Sequence, residues 1–181
     1  LYTKTIPLGG NMITNDISRI FSLSILDSER IKIINGQLIE ELEYSLSVIE
    51  VDALGDDNDS VEITRKDLIS VIKSRVKEII NTIKDDLVEN RYNHLIANRV
   101  VITGGAAQMD GLIDITSKIL DKKGRLGKSN TIKGIPDNMR NSSFTAINSL
   151  LNYSMINHND ISSNNNKKSN NSEGFYNYLV K

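Results

Sequence analysis

The chain has 181 residues, of which 39% are hydrophobic, so it is long enough to bury a substantial apolar core. Its 22 basic and 23 acidic residues give a net charge of -1, and this balance argues against a nucleic-acid-binding surface. Because the chain contains no cysteine, disulfides, thiolate catalysis and thiolate metal sites are excluded.

Other features of the sequence narrow the class of protein further. No apolar run approaches the ~20 residues needed to span a bilayer, and no signal peptide is visible. The only histidines, His94 and His158, are far apart, which argues against a metal centre. Since the chain begins with Leu1 rather than methionine, we expect it to be a fragment of a longer protein.

The first predicted elements are a strand and a helix. Apolar and polar residues alternate loosely at 1–8, and Gly9 and Gly10 follow them. This pattern predicts a strand that leads into a glycine turn. Thr14 or Asn15 is expected to cap the helix that follows. The buried stripe of this helix is predicted at Ile17, Ile20 and Phe21.

A second helix carries the first candidate site residues. Asp27 is predicted to cap it, with Ile31 and Ile34 pointing inward. Glu29 and Lys32 are three residues apart, so they share a face and can present a carboxylate and an ammonium to one ligand. The alternative is a solvated ion pair worth about 0.2–0.5 kcal/mol.

A period-two pattern and a long helix follow. From Tyr44 to Thr64 apolar and polar residues alternate on both sides of an acidic turn at 55–59, which predicts a β-hairpin. The turn lacks the residue order of a calcium loop. Thr64 then begins a helix that runs to about Asn90, and its basic face, which includes Arg75, is interpreted as solvated. The predicted buried stripe comprises Ile69, Ile72, Val76, Ile79, Ile83 and Leu87.

The most informative stretch is 100–112, where a short apolar strand joins a helix through Gly104 and Gly105. Glycine adopts positive φ readily and has no Cβ, so a flat ligand can approach the backbone, and a helix N-terminus favours negative charge. This arrangement indicates nucleotide binding, and a simple tight turn is the alternative. The spacing to Gly111 matches neither the dinucleotide-binding motif nor the P-loop.

The last part of the chain contains short predicted elements and then a long polar segment. Residues 125–127 and 131–135 are predicted as short edge strands or turns, and a helix is predicted from about Ser142. Residues 156–173 are almost all polar and are expected to form a disordered linker. The segment 174–181 has the spacing of an amphipathic membrane-surface helix but is too short to be helical in water. The last helix is predicted to bury Phe144, Ile147, Leu150 and Leu151.

The order of these motifs is more specific than any one of them. Together with the long helix, it resembles the C-terminal half of the FtsA family of bacterial division proteins, within the actin, Hsp70 and sugar-kinase superfamily. The resemblance covers about residues 2–154, and MreB-like proteins are similar around 29–32 and the glycine turn. The segments are I-P-L-G-G-N-M-I-T-N-D-I at 6–17, S-E-R-I-K at 28–32, V-V-I-T-G-G-A-A-Q-M-D-G-L at 100–112, I-K-G-I-P-D at 132–137 and F-T-A-I-N-S-L-L-N-Y at 144–153.

The resemblance implies an α/β protein with the second lobe only of an actin-like ATPase fold. Subdomain 2A is then expected at 1–24 and 96–155, and subdomain 2B, with a helix, the hairpin and the long helix, at 25–95. The linker at 156–173 would lead to the start of a membrane-targeting segment at 174–181.

An ATP site is also implied by the resemblance. Gly104 and Gly105 would line the adenine, with Ala106 and Met109 close by. A methionine offers a polarizable apolar surface to an aromatic ring. The glycine turn thus forms one wall of the expected site.

The lobe at 25–95 is implied to contribute the contacts with the sugar. Glu29 and Lys32 would bind the ribose or base, and Gly10 would lie near the sugar. The family's phosphate loops and magnesium-holding carboxylates would precede Leu1, so we expect this chain alone to bind Mg-ATP weakly or not at all and not to hydrolyse it. Ser149 replaces a usual family glycine in the last helix.

The resemblance implies a function in cell division. Such a protein would be an ATP-binding adaptor that self-associates into filaments, links the FtsZ ring to the inner membrane and recruits later division proteins. It would be cytoplasmic, peripheral on the inner membrane at the septum. The FtsZ C-terminal peptide would bind the lobe at 25–95, where Arg75 matches a family arginine. The alternatives are an MreB-like filament protein and a sugar kinase.

Overall fold

The computed structural model describes residues 2–39, 47–52, 60–92, 98–128, 132 and 134–155. The chain divides into two compact units, Leu1–Gly127 and Lys128–Lys181. The first unit contains, in order, α1 (Gly10–Phe21), α2 (Ile25–Asn35), β1 (Val48–Asp52), β2 (Ser60–Thr64), α3 (Arg65–Glu89), β3 (Arg99–Ile102), a 3₁₀ turn (Ala106–Gln108), α4 (Leu112–Leu120) and β4 (Lys123–Leu126).

The described strands form two pairs. β1 and β2 are antiparallel, with Ile49 opposite Ile63, which confirms the period-two prediction. The stretch 40–46 and the acidic turn lie outside the described residues. β3 and β4 are parallel, with Val100 opposite Gly124, because α4 returns the chain between them. β4 begins two residues before the short strand predicted at 125–127.

The core of the first unit forms where α3 packs against α1, α4 and β2, and where α1 packs against α2. Burial of its aliphatic side chains is the main favourable contribution to folding. The buried residues of this core cluster are Ile13, Ile17, Leu23, Ile31, Leu38, Ile63, Leu68, Ile72, Val76, Ile80, Ala107, Leu112 and Leu120.

α3 follows the sequence prediction closely. The Thr64 hydroxyl oxygen accepts a hydrogen bond from the Asp67 backbone N–H at 3.1 Å, which caps the helix at the predicted residue. Ile69, Ile72 and Val76 of the predicted stripe are buried. The buried face is wider than that stripe and also contains Leu68 and Ile80, with Ile79, Ile83 and Leu87 partly buried.

α1 begins earlier than predicted. Gly9 is its N-cap and Gly10 its first residue, so Thr14 and Asn15 lie inside the helix and the prediction that one of them caps it is wrong. Glycine is among the residues commonly found at an N-cap, and the Gly9 backbone has the extended conformation typical of that position. Ile20, which was predicted to be buried, is exposed.

α2 is capped one turn before the predicted residue. The hydroxyl oxygen of Ser24 accepts a hydrogen bond from the Asp27 backbone N–H at 3.0 Å, so Asp27 is the third residue of the helix and not its cap. Ile31 is buried as predicted, whereas Ile34 is exposed because it lies outside the buried face of α2, which contains Ser28, Ile31 and Lys32.

The strand predicted at 1–8 is not observed. Residues 2–8 have no strand partner among the described residues. Instead the Tyr2 hydroxyl donates to Asp86 at 3.0 Å, and the Lys4 ammonium pairs with the same carboxylate. The Tyr2 ring also stacks on Tyr92, with centroids 4.4 Å apart. Side-chain contacts with the end of α3 therefore hold this segment in place, instead of hydrogen bonds to a neighbouring strand.

The second unit contains 3₁₀ turns at Asp137–Met139 and Ser142–Phe144, followed by a helix, α5, at residues 145–155. The Asn148 side-chain amide donates to the Met139 carbonyl at 3.0 Å. A helix was predicted here, but the predicted burial of Ile147, Leu150 and Leu151 is wrong, since all three are exposed. No described residue of this unit covers them.

Several predictions concern residues that are only partly described or lie outside the described ranges. The linker at 156–173 and the segment at 174–181 lie beyond residue 155, and 131–135 is only partly described. The boundaries of subdomains 2A and 2B stay predictions. Within the described ranges, none of the helices combines the length and apolarity that crossing a bilayer requires.

We expect Ile72→Ala to lower the free energy of unfolding by about 2–5 kcal/mol, because it leaves a cavity under α3. Urea denaturation followed by circular dichroism measures the loss. Ile33→Ala is the matched control, since Ile33 is 70% exposed and its truncation should change stability by only about 0.5 kcal/mol. Equal losses for the two variants would contradict the core assigned here.

Candidate functional site

The Lys32 ammonium is the centre of the first candidate site. It is largely buried and donates hydrogen bonds to the Thr14 hydroxyl at 2.8 Å, the Gly10 carbonyl at 3.3 Å and Oε2 of Glu29 at 2.5 Å. All three donors of the ammonium group therefore have oxygen partners. Because Lys32 and Glu29 belong to α2 and the other two residues to α1, this cluster fixes one helix against the other.

Glu29 is placed to accept a further hydrogen bond. Burial raises the pKa of its carboxyl, but the hydrogen bonds from Lys32 and Thr14 outweigh burial and hold that pKa below its usual range. Both hydrogen bonds reach Oε2, and 40% of the side chain is exposed. An ionised carboxylate with accessible surface can bind the hydroxyl groups of a sugar.

The glycine turn follows β3 and leads into the 3₁₀ turn at Ala106–Gln108. Gly104 has φ of 106°, in the region that favours glycine, whereas Gly105 has right-handed helical angles that any residue adopts. A Cβ at Gly104 would meet no atom within 4 Å. The side of Gly104 on which a Cβ would lie is thus open to an approaching ligand.

The structure brings most of the predicted site residues together. A Cβ built on Gly10 would lie 3.4 Å from the Cβ of Ala106 and 4.0 Å from Nζ of Lys32. The first turn of α1, the Lys32 ammonium and the residue after the glycine turn therefore converge. Met109 is half-buried and packs against the apolar core.

Thr14 is the member of this cluster that sequence reasoning missed. Its hydroxyl donates to the Glu29 carboxylate and accepts from Lys32. The sequence interpretation made Thr14 a helix cap because it placed the start of α1 five or six residues too late. The spacing of Gly10 and Thr14, one helical turn apart, is the signal that a correct start would have revealed.

A second candidate site lies between α1 and α3. Arg75 holds the Asp16 carboxylate with two donors, Nε to one oxygen and Nη2 to the other at 2.8 Å. Its Nη1 donates to Glu78 at 2.7 Å, and Arg19 donates to Asp16 at 3.3 Å. Arg75 and Asp16 are only 17% and 11% exposed, so the predicted solvation of this face is wrong at Arg75.

An open groove of about 340 Å³ adjoins this ion pair. The hydrogen bond to Asp16 raises the pKa of Arg75, and the same hydrogen bond holds the pKa of Asp16 below its usual range. Both groups are therefore charged at neutral pH. The groove is lined by Asp16, Arg19, Ile20, Ser70, Val71, Ser74, Arg75 and Glu78.

Comparison with solved structures defines the class of fold. The crystal structure of MreB5 of Spiroplasma citri bound to ADP matches with a TM-score of 0.66 at 15% identity, over 88% of this chain and 48% of that chain. The chain therefore has part of an actin-like fold, as predicted.

The family model of cell division protein FtsA matches residues 1–149, and the chain belongs to the FtsA family, as the motifs predicted. It is 27% identical to the cell division protein FtsA of Agrobacterium fabrum, over 86% of this chain and 36% of the relative. The FtsA proteins of Pseudomonas aeruginosa and Neisseria meningitidis are 29% and 31% identical, over 88% and 83% of this chain and 38% and 36% of their own lengths. The chain thus spans little more than a third of these relatives.

We expect Asp16→Asn to destabilise the chain by about 1–3 kcal/mol at neutral pH, because it leaves Arg75 without its bidentate partner. A carboxyl whose pKa is lowered by folding stabilises the protein above its unfolded pKa, and this contribution is lost as the pH falls through the folded pKa. The stability of Asp16→Asn should therefore fall less steeply between about pH 5 and pH 2.

Urea titrations across this pH range measure the difference. Asp114→Asn, an exposed carboxylate on α4, is the control with the same change in charge. Asp86 and Glu29, whose pKa values are also lowered, keep part of the acid dependence in both variants. Parallel pH profiles for wild type and Asp16→Asn would show that Asp16 contributes no stability.

Proposed function

We propose that this chain contributes one wall of an ATP site to an FtsA-family adaptor. The observation that supports this proposal is the convergence of Gly10, Glu29, Lys32 and Ala106 from three separate segments. Glu29 would accept hydrogen bonds from the ribose hydroxyls. Lys32 would keep Glu29 ionised, and the adenine would lie against Gly104 and Gly105 at the open turn.

The adenine wall proposed here fits the chemistry of the residues present. Gly10 and Ala106 lie close together, since a Cβ on Gly10 would already touch the Cβ of Ala106 at 3.4 Å, and a Cβ on Gly104 would meet no atom within 4 Å. MreB5 of Spiroplasma citri, which shares this fold, is bound to ADP. Because the chain spans about a third of its relatives, we assign the magnesium ion and the phosphate contacts to residues outside it, and we propose no hydrolysis by this chain alone.

Isothermal titration calorimetry on the isolated chain should show an ATP dissociation constant of about 1 mM or weaker, which corresponds to about -4.1 kcal/mol, because half of the site is missing. A micromolar constant would contradict this proposal. At millimolar ATP, ¹⁵N NMR should show shifts confined to the amides of Gly10, Gly104, Gly105 and Ala106. Glu29→Gln should reduce these shifts, and shifts centred elsewhere would reject the site.

We further propose that the complete protein self-associates into filaments, links the FtsZ ring to the inner membrane and recruits later division proteins. On this proposal it acts on the cytoplasmic face of that membrane at the septum, with the segment at 174–181 at the membrane surface. Membership of the FtsA family supports the role in division. The actin-like fold supports the filament.

The groove beside Arg75 is our proposed site for the FtsZ C-terminal peptide. Its guanidinium can pair with a carboxylate of an acidic peptide, and Ile20 and Val71 offer apolar contacts next to it. The proposal extends the predicted binding lobe at 25–95, because α1 forms the other wall of the groove. The open shape of the groove suits a segment of extended chain.

We expect Arg75→Glu to abolish binding of a fluorescein-labelled FtsZ C-terminal peptide in a polarisation titration, because it places a negative charge against the peptide carboxylate. Lys77→Glu makes the same change in charge at an exposed position on α3 and is the control. Arg75→Gln, which adds no repulsion of Asp16, should weaken binding and tests whether any loss reflects misfolding. Unchanged affinity in Arg75→Gln would reject the groove.

A further inference from the structure

Arg75 is already occupied from within the chain. Its Nε and Nη2 donors bind the two oxygens of Asp16, which is the bidentate geometry that an arginine offers to a ligand carboxylate. The remaining donor group, Nη1, binds Glu78. A carboxylate from outside cannot take the bidentate position while Asp16 holds it.

The charge of the groove supports the same conclusion. Two cations, Arg19 and Arg75, face two carboxylates, Asp16 and Glu78. With its ion pairs closed, the groove has no excess of positive charge to attract an acidic peptide. Movement of Asp16 away from Arg75 is therefore required before the groove becomes complementary to such a ligand.

Opening the pair leaves neither charge without a partner. Asp16 keeps its contact with Arg19, a neighbour on α1 that is mostly exposed and free to follow it. Arg75 keeps Glu78 on its own helix. Because each member retains a partner, opening avoids the large penalty of an isolated buried charge.

We propose that Asp16 is an internal competitor for Arg75, which an acidic peptide must displace in order to bind. This inference rests on the groove proposed above as the peptide site. The affinity of the chain for the peptide is then lower than the intrinsic affinity by the fraction of molecules in which Arg75 is released. Asp16 sets that fraction, so it determines how tightly the groove binds acidic partners.

The test is a polarisation titration with the same fluorescein-labelled FtsZ C-terminal peptide. Asp16→Asn should bind about threefold to tenfold more tightly than wild type, because the competing charge is removed. Asp114→Asn should bind like wild type, which excludes an effect of net charge. In the double variant Asp16→Asn/Arg75→Gln the gain in peptide affinity should disappear, because that gain depends on Arg75.

A second measurement needs no variant and guards against loss of folding in Asp16→Asn. NMR of wild-type chain labelled in its arginine and aspartate side chains follows the Arg75 Nε–H and the Asp16 carboxyl carbon. Addition of the peptide should shift both signals together as one carboxylate replaces the other. Peptide binding that leaves the Asp16 carboxyl signal unchanged overturns the competition.

The outcomes separate this inference from the proposed peptide site. If Arg75→Gln weakens binding but Asp16→Asn leaves it unchanged or weakens it, the competition is wrong and the groove stands. If Arg75→Gln binds like wild type, or if neither wild type nor Asp16→Asn binds, the groove is rejected and the competition with it. Binding by Asp16→Asn alone supports both.

Discussion

The burial of α1 against α2 and α3 is the constraint on which both candidate sites depend. Ile13 and Ile17 place its apolar face in the core, and Thr14 and Asp16 are buried beside them. Because buried polar groups must be hydrogen-bonded, each of these two polar side chains requires a specific partner. Thr14 bonds to the α2 cluster and Asp16 to Arg75 of α3, so α1 orients the functional groups of both neighbouring helices.

The two sites therefore share one rigid element. Gly10, at the proposed ATP wall, and Asp16, at the proposed peptide groove, are six residues apart in α1, or about 9 Å along its axis. A displacement of α1 changes the contacts of Lys32 and of Arg75 together. The two proposed sites thus share contacts with a single helix.

The features that could be predicted from the sequence are those with local causes. The cap at Thr64 and the alternation around Ile63 depend on neighbouring residues, and α3 and the strand pair were found. The partner of Arg75 was missed because Asp16 is 59 residues away, and no periodicity encodes that contact. The prediction of a strand at 1–8 was wrong, because alternation shows only that a segment could pair with a neighbouring strand. No strand lies beside residues 2–8 in the part of the chain that the structure describes, and an unpaired segment forms no ladder.

The burial along α3 divides this continuous helix into two parts. Its buried apolar residues end at Ile80, and beyond that residue the buried side chain in α3 is Asp86, held by Lys4 and Tyr2. Apolar burial is the main favourable contribution to packing, and this contribution is smaller beyond Ile80. We therefore expect the amides of residues 81–89 to exchange with solvent faster than those of residues 65–80. Within α3, the C-terminal end is thus the part least secured by apolar burial.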